Sequence, residues 1–247
     1  MDLIVTGMVA FFLAGFVKGV VGFGFPIIVL VILTLTIGLF EALAILIVPT
    51  LVTNIWQALS GPYLSAVLQR MWLYFVCSAV GILIASRFLT VVNVELLTGL
   101  LGGVLLFFAL TRLLNFHITV DRAKEPLLSV VLGTVNGGLT GFTGSFMVPS
   151  VLYMQALGFS KDMLVQAMGM FFAISTLMLT ISLGTNSLLG GDSLKLSVVA
   201  LIPSFTGIYL GRWARKQVDE LQFQKIFLSA LLVLGSYLLW RSVIAFP

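Results

Sequence analysis

Lys18 stands in Gly15-Phe-Val-Lys18-Gly19-Val-Val-Gly22-Phe23-Gly24-Phe25-Pro26, a single basic residue among glycines and apolar side chains. An ionisable group inside a membrane segment is costly and is by default a functional candidate. The chemistry open to it is electrostatic, the holding of an anion. Proline favours the first turn of a helix, so Pro26 predicts a helix that starts just past the glycines. Its free N–H groups and the positive end of its dipole then point back at them, and such a start binds anions without many charged side chains. A second stretch, Asn136-Gly137-Gly138-Leu-Thr140-Gly141-Phe142-Thr143-Gly144-Ser145, precedes Pro149 and offers hydroxyl and amide donors in place of the lysine. Asn54 and Gln57, with Gln166 and Ser175, add neutral donors in the segments that follow each stretch. The candidate substrate-binding set is Lys18, Gly19, Gly22, Gly24, Pro26, Asn54, Asn136, Gly137, Thr140, Gly141, Thr143, Gly144 and Ser145. Each member also has a plainer reading. Gly15-x-x-x-Gly19 and Gly137-x-x-x-Gly141 suit close helix packing, an intramembrane amide or hydroxyl suits a helix–helix hydrogen bond, and a lysine can snorkel to the interface.

Other chemistries find few residues. One cysteine, Cys77, excludes an intramolecular disulfide, and one histidine, His117, leaves no His/Cys cluster for zinc, haem or iron–sulfur. No G-x-x-x-x-G-K-[ST] loop is present to bind a nucleotide. No cofactor and no nucleic acid are expected, and the absence of a catalytic cluster within the spans argues against an enzyme. Glu41 and Asp162 each open a predicted span, where a carboxylate suits the helix N-terminus; a proton-coupling role for Glu41 stays open.

These residues must be positioned by membrane helices. Apolar residues make up 60% of the 247, charged residues 9%, and mean hydropathy is +1.18, so the bilayer is the solvent. Apolar stretches recur at 3–17, 25–39, 42–59, 71–86, 96–111, 127–139, 146–157, 163–183, 196–211 and 226–240. Those at 25–39 and 146–157 fall short of the roughly 20 residues of a full crossing. The start Met1-Asp2-Leu3 lacks the basic region of a secretory signal, so the first stretch is expected to be retained.

The chain repeats. The stretch 15–26 returns with small gaps at 133–149, and Gly81-Ile-Leu-Ile-Ala-Ser86-Arg87 returns as Gly207-Ile-Tyr-Leu-Gly211-Arg212. Residues 1–115 and 127–247 are therefore expected to be two transmembrane repeats joined by a cytoplasmic linker, 116–126. If each repeat is a re-entrant or short helical hairpin followed by three spans, the second is inverted. Arg70, Arg112, Arg122, Lys124, Lys161, Arg212, Arg215, Lys216 and Lys225 then share one face, opposite Arg87, Lys195 and Arg241. Nine against three is a positive-inside signal that puts both termini outside the cytoplasm. Trp56, Trp72, Trp213 and Trp240 lie near predicted span ends, as interface anchors do. The fold class expected is an all-α, polytopic bundle of two inverted repeats, with about 8 to 10 hydrophobic segments.

The stretch 15–26, its degenerate copy at 133–149 and the Gly…Arg loop before a long apolar C-terminal span resemble the TauE/SafE family, also called the toluenesulfonate uptake permease family. The similarity runs over essentially the whole chain, carried mostly by glycines and apolar residues. Lys18, Gly19, Gly22, Gly24 and Pro26 match its first motif, whereas Ser145-Phe-Met-Val intervenes between Gly144 and Pro149 in the second. The resemblance implies a bacterial inner-membrane carrier of sulfite, a sulfonate or another small organic anion. The expected function is a secondary transporter whose anion is bound between the two glycine-rich tips near the membrane midplane. Its expected partners are a small anionic substrate and the lipid bilayer, with a homo-oligomer left open. A passive anion or small-solute channel is the alternative, and a membrane enzyme or assembly factor the remote one.

Overall fold

The computed structural model describes residues 3–88, 91–114, 119–185, 190–215, 217 and 220–245; Asp2, His117, Lys216, Asp219 and the beginning of the 116–126 linker lie outside them. Among the described residues every regular element is helical. In chain order these are α1 (Leu3–Val21), α2 (Phe25–Ile37), α3 (Leu39–Leu59), α4 (Leu64–Ala85), α5 (Val94–Leu113), α6 (Glu125–Thr143), α7 (Ser150–Ala156), α8 (Lys161–Thr185), α9 (Gly191–Val199), α10 (Leu201–Ala214) and α11 (Glu220–Ala245). Among the described residues six segments are long and apolar enough to cross a bilayer: Leu39–Leu59, Leu64–Phe88, Val94–Leu113, Lys161–Thr185, Gly191–Ala214 and Gln222–Ala245. They fall three to a repeat, each trio preceded by a helical hairpin, α1–α2 and then α6–α7, as the all-α polytopic expectation had it. The second arms are short: α2 has 13 residues and α7 has 7. At 1.5 Å per residue they rise roughly 20 Å and 10 Å, against a hydrocarbon core of about 30 Å.

The described helices gather into two compact units, and each draws on both halves of the chain. The first comprises Met1–Pro49, Val92–Phe116 and Leu188–Pro247; the second comprises Thr50–Val91 and His117–Ser187. The chain passes from one to the other within α3, at Pro49. Proline there has no N–H to donate to the residue one turn back.

In the first unit α1 lies along α10. Gly15 and Gly19 face Ser204, Ile208 and Gly211, and a Cβ on Gly19 would stand 2.9 Å from the Gly211 Cα. Helices approach this closely only where side chains are missing from both. Gly102 and Gly235 do the same for α5 and α11. Glu41, in the first turn of α3, accepts a hydrogen bond from Ser193 Oγ at 2.9 Å, which suits the helix-start role expected of it.

In the second unit α6 lies along α4, with Gly137 against Gly81, Gly133 against Tyr74 and Gly141 against Ala85. The arrangement repeats that of the first unit. The first arm of each hairpin packs on a helix from the other half of the chain, α1 on α10 and α6 on α4. The end of α3 is tied to the start of α8 by two glutamines. Gln57 Nε2 donates to the Val165 carbonyl at 2.8 Å. Gln166 Nε2 donates to the Ala58 and Gly61 carbonyls, both at 2.8 Å, and its Oε1 accepts from the Tyr63 N–H at 2.8 Å. Gln166 thus satisfies a carbonyl that the last turn of α3 leaves open, at Ala58, and one in the connection beyond it, at Gly61, so both glutamines serve the helix packing that their plainer reading assigned. The tryptophans at 56, 72, 213 and 240 are all exposed.

Candidate functional site: the two hairpin tips

In the first unit α1 stays helical through Val21, so Lys18 and Gly19 belong to its last turns and the reversal falls on 22–24. Gly22 and Gly24 have φ of 93° and 97°, backbone conformations that L side chains rarely adopt. The Gly22 N–H closes α1 on the Lys18 carbonyl at 2.8 Å, and the Ile28 N–H opens α2 on the Gly24 carbonyl at 3.2 Å. Pro26 occupies the first turn of α2, where it gives up no hydrogen bond. Lys18 is 7% exposed, and its Nζ lies 5.8 Å from the centroid of the buried Phe25 ring. Arg212 follows Gly211 on α10; its backbone nitrogen would meet a Cβ on Gly19 at 2.9 Å, and its charge acts on Lys18. The buried Lys18 side chain, the first turn of α2 and the Arg212 backbone thus meet at one reversal. Phe11 packs on Phe25 at 6.0 Å and Phe23 on Phe108 at 6.4 Å, so apolar rings flank the reversal.

The tip of the second unit is built differently. Here α6 is helical from Glu125 through Thr143, so Asn136, Gly137, Thr140 and Gly141 lie on a helix and the reversal begins at Gly144, with φ 68°. Asn136, Thr140, Thr143 and Ser145 are all 0% exposed. Thr143 Oγ1 donates to the Leu139 carbonyl at 2.7 Å and accepts the Ser145 N–H at 3.1 Å. Thr140 Oγ1 donates to the Ser145 carbonyl at 3.0 Å. Asn136 Nδ2 reaches Ser78 Oγ at 3.4 Å and Thr140 Oγ1 at 3.5 Å. Ser150 Oγ bonds the Phe146 carbonyl where α7 begins. The hydroxyls expected as ligands at 140 and 143 are therefore engaged in shaping the tip.

The profile of the sulfite exporter TauE/SafE family matches residues 7–238, nearly the whole chain and both tips. The chain belongs to that family. No curated protein and no solved structure matches it significantly. Membership in this transporter family, together with six span-length apolar helices, makes it a multi-pass membrane protein.

Within this TauE/SafE chain the expected site residues divide by role. Gly19, Gly137 and Gly141 sit at helix crossings, Gly22, Gly24 and Gly144 at reversals, and Asn54 is fully buried on the stretch of α3 past Pro49. Two groups escaped the sequence reading. Ser78, which faces Asn136, precedes Gly81 by three residues as Ser204 precedes Gly207, so the repeat itself could have marked it. The other is the base of the second hairpin. Arg70 Nε and Nη2 grip the Glu125 carboxylate at 3.0 and 2.6 Å, and Nη2 also reaches the Leu157 carbonyl at 3.0 Å. The guanidinium lies 5.0 Å from the Phe159 ring centroid, and Tyr153 donates to the Glu125 carbonyl at 3.1 Å. The hydrogen bond from Arg70 holds the Glu125 carboxyl below the usual carboxylate range. This clamp ties the beginnings of α4 and α6 to the end of α7. Residues 55 apart in sequence carry no local signal of such a pair.

Proposed function

We propose that the protein is a secondary transporter of a small anion of the sulfite or sulfonate class. In this reading the anion is taken at the glycine-rich tips, with Lys18 as the fixed positive charge. The observation that carries it is the burial of Lys18 beside the start of α2. Gly22 and Gly24 turn the backbone of the first tip and Pro26 opens α2 behind it, while Thr140, Thr143 and Ser145 shape the second. An ammonium and a helix start suit the shared charge of an oxyanion, and charge-assisted N–H···O contacts are the strong ones. The reading includes two inverted repeats, 1–115 and 127–247, with both termini outside the cytoplasm, as the nine-against-three split of basic residues implies.

Thermal unfolding of the purified protein with sulfite, short sulfonates and carboxylates of matched size tests the substrate class. A ligand at about 100 times its Kd adds about 2.7 kcal/mol of stability, so a saturable rise in Tm with a sulfur oxyanion is expected. A panel in which none of these oxyanions moves Tm, at concentrations where chloride also has no effect, would contradict the assignment.

A further inference from the structure

The second tip holds two side chains expected from the sequence as anion ligands, Asn136 and Ser145, whose buried surroundings suit an ion of the opposite sign. Asn136 Oδ1 and Ser145 Oγ are buried and have no hydrogen-bond partner. The orientation of the Asn136 amide follows from its neighbours. Thr140 has one hydroxyl proton, and it goes to the Ser145 carbonyl, so the Asn136 atom facing Thr140 Oγ1 must be the N–H donor. The carbonyl oxygen is then the atom left over. The Ser145 N–H is likewise spent, on Thr143 Oγ1. Thr140 Oγ1 lies 3.5 Å from Asn136 Nδ2 and 3.0 Å from the Ser145 carbonyl, which sets the Asn136 carboxamide and Ser145 on either side of one hydroxyl. A third buried oxygen without a partner, Ser175 Oγ, stands one turn past Phe172, whose ring packs on Phe146 at 6.1 Å.

Lone pairs left over in a fully buried place are costly, because each has given up water without replacement. Asn136 Oδ1 would repel an oxyanion, so the ligand that suits it is positive or donates a proton. No carboxylate, histidine or cysteine belongs to this cluster, and among the described residues no group of three such side chains could hold a metal ion. Hard divalent cations call for carboxylates, whereas amide, hydroxyl and backbone oxygens suit a monovalent cation at an unwound helix end. We propose that the second tip is a binding site for a monovalent cation of sodium's size, with Asn136 Oδ1 and Ser145 Oγ as ligands and Ser175 Oγ available as a third. Binding would fix the 143–150 reversal. Its service as the coupling ion rests on the transporter reading above; the binding itself does not.

Thermal unfolding of the full chain in choline chloride, with sodium chloride replacing choline at constant ionic strength and no substrate present, tests the site. Tm is expected to rise saturably with sodium and to rise less with potassium. Ser145→Ala removes a ligand and an unpartnered buried hydroxyl together. It should therefore melt in choline at or above the wild-type temperature, yet need about tenfold more sodium for the same shift, the cost of about one lost contact. Saturable binding of radioactive sodium to the wild-type protein, displaced by unlabelled sodium and not by choline, gives the same answer if the variant fails to fold. Equal Tm in sodium and choline, or an unchanged sodium response in Ser145→Ala, overturns the site. A sulfur oxyanion that raises Tm while sodium does not would sink the cation site alone. The reverse pattern would sink the anion reading alone.

Discussion

Replacing Lys18 with methionine should weaken oxyanion binding about tenfold to hundredfold while leaving the protein folded, because a charge-assisted hydrogen bond contributes roughly 1.5–3 kcal/mol. Methionine keeps most of the apolar stem that packs near Phe25, so the last turn of α1 loses a charge and little volume. Lys18→Arg keeps the charge on a larger, planar head and should retain part of the affinity. A lysine that merely snorkels gives a different pattern, in which Lys18→Met binds as wild type and only stability or topology changes. Ligand-dependent Tm shifts, titrated on equal amounts of folded protein, separate the two. An unchanged midpoint in Lys18→Met would remove Lys18 from the site.

Two adjacent glycines should respond to alanine in opposite directions. A Cβ on Gly137 would collide with the Ser78 carbonyl oxygen and stand 2.9 Å from the Gly81 Cα, all of it backbone that cannot swing aside. On Gly138 the same methyl meets nothing within 4 Å. Forcing α6 from α4 should cost about 1–3 kcal/mol, the usual penalty for overpacking a close-packed interior. Gly138→Ala should be neutral or stabilise by up to about 1 kcal/mol, since alanine is the better helix former. In the first unit Gly211, pressed on the Phe16 carbonyl, and Gly7, with nothing within 4 Å, make a second such pair. Thermal unfolding of the four variants reads the effect, and a Gly138→Ala that falls as far as Gly137→Ala would show that α6 does not cross α4 at this point.

Much of this architecture was legible because membrane helices announce themselves by length. Of the ten apolar runs six reach crossing length among the described residues, and Pro26 and Pro149 mark where the two short second arms begin. The partners of each helix were not legible. Gly15-x-x-x-Gly19 tells that some backbone comes close, but α1 meets α10 from the other end of the chain, and nothing in a glycine names its neighbour. For the same reason the extent of the reversals was misjudged. Glycine serves a turn and a helix crossing alike, so Gly137 and Gly141 read as tip residues although α6 is helical through both. Lys18 stood out because a charge in an apolar run is conspicuous. The direction in which the Asn136 amide points depends on which proton Thr140 has left to give, and no sequence carries that information. Arg70 counted in the sequence only as one basic residue of a face, and Glu125 as a loop charge, until the fold set them 2.6 Å apart.

The central claim is that the chain carries an anion through an alternating site, and counterflow in proteoliposomes tests it most directly. Vesicles loaded with unlabelled sulfite or sulfonate are diluted into a trace of the labelled anion, and label is followed with time. A carrier whose loaded site reorients faster than its empty one accumulates label above equilibrium before the internal pool runs down, and this overshoot is the expected result, lost in Lys18→Met at the same substrate concentration. Label that rises to equilibrium without an overshoot, at a rate indifferent to the internal anion, is the behaviour of a passive pore and would contradict the account.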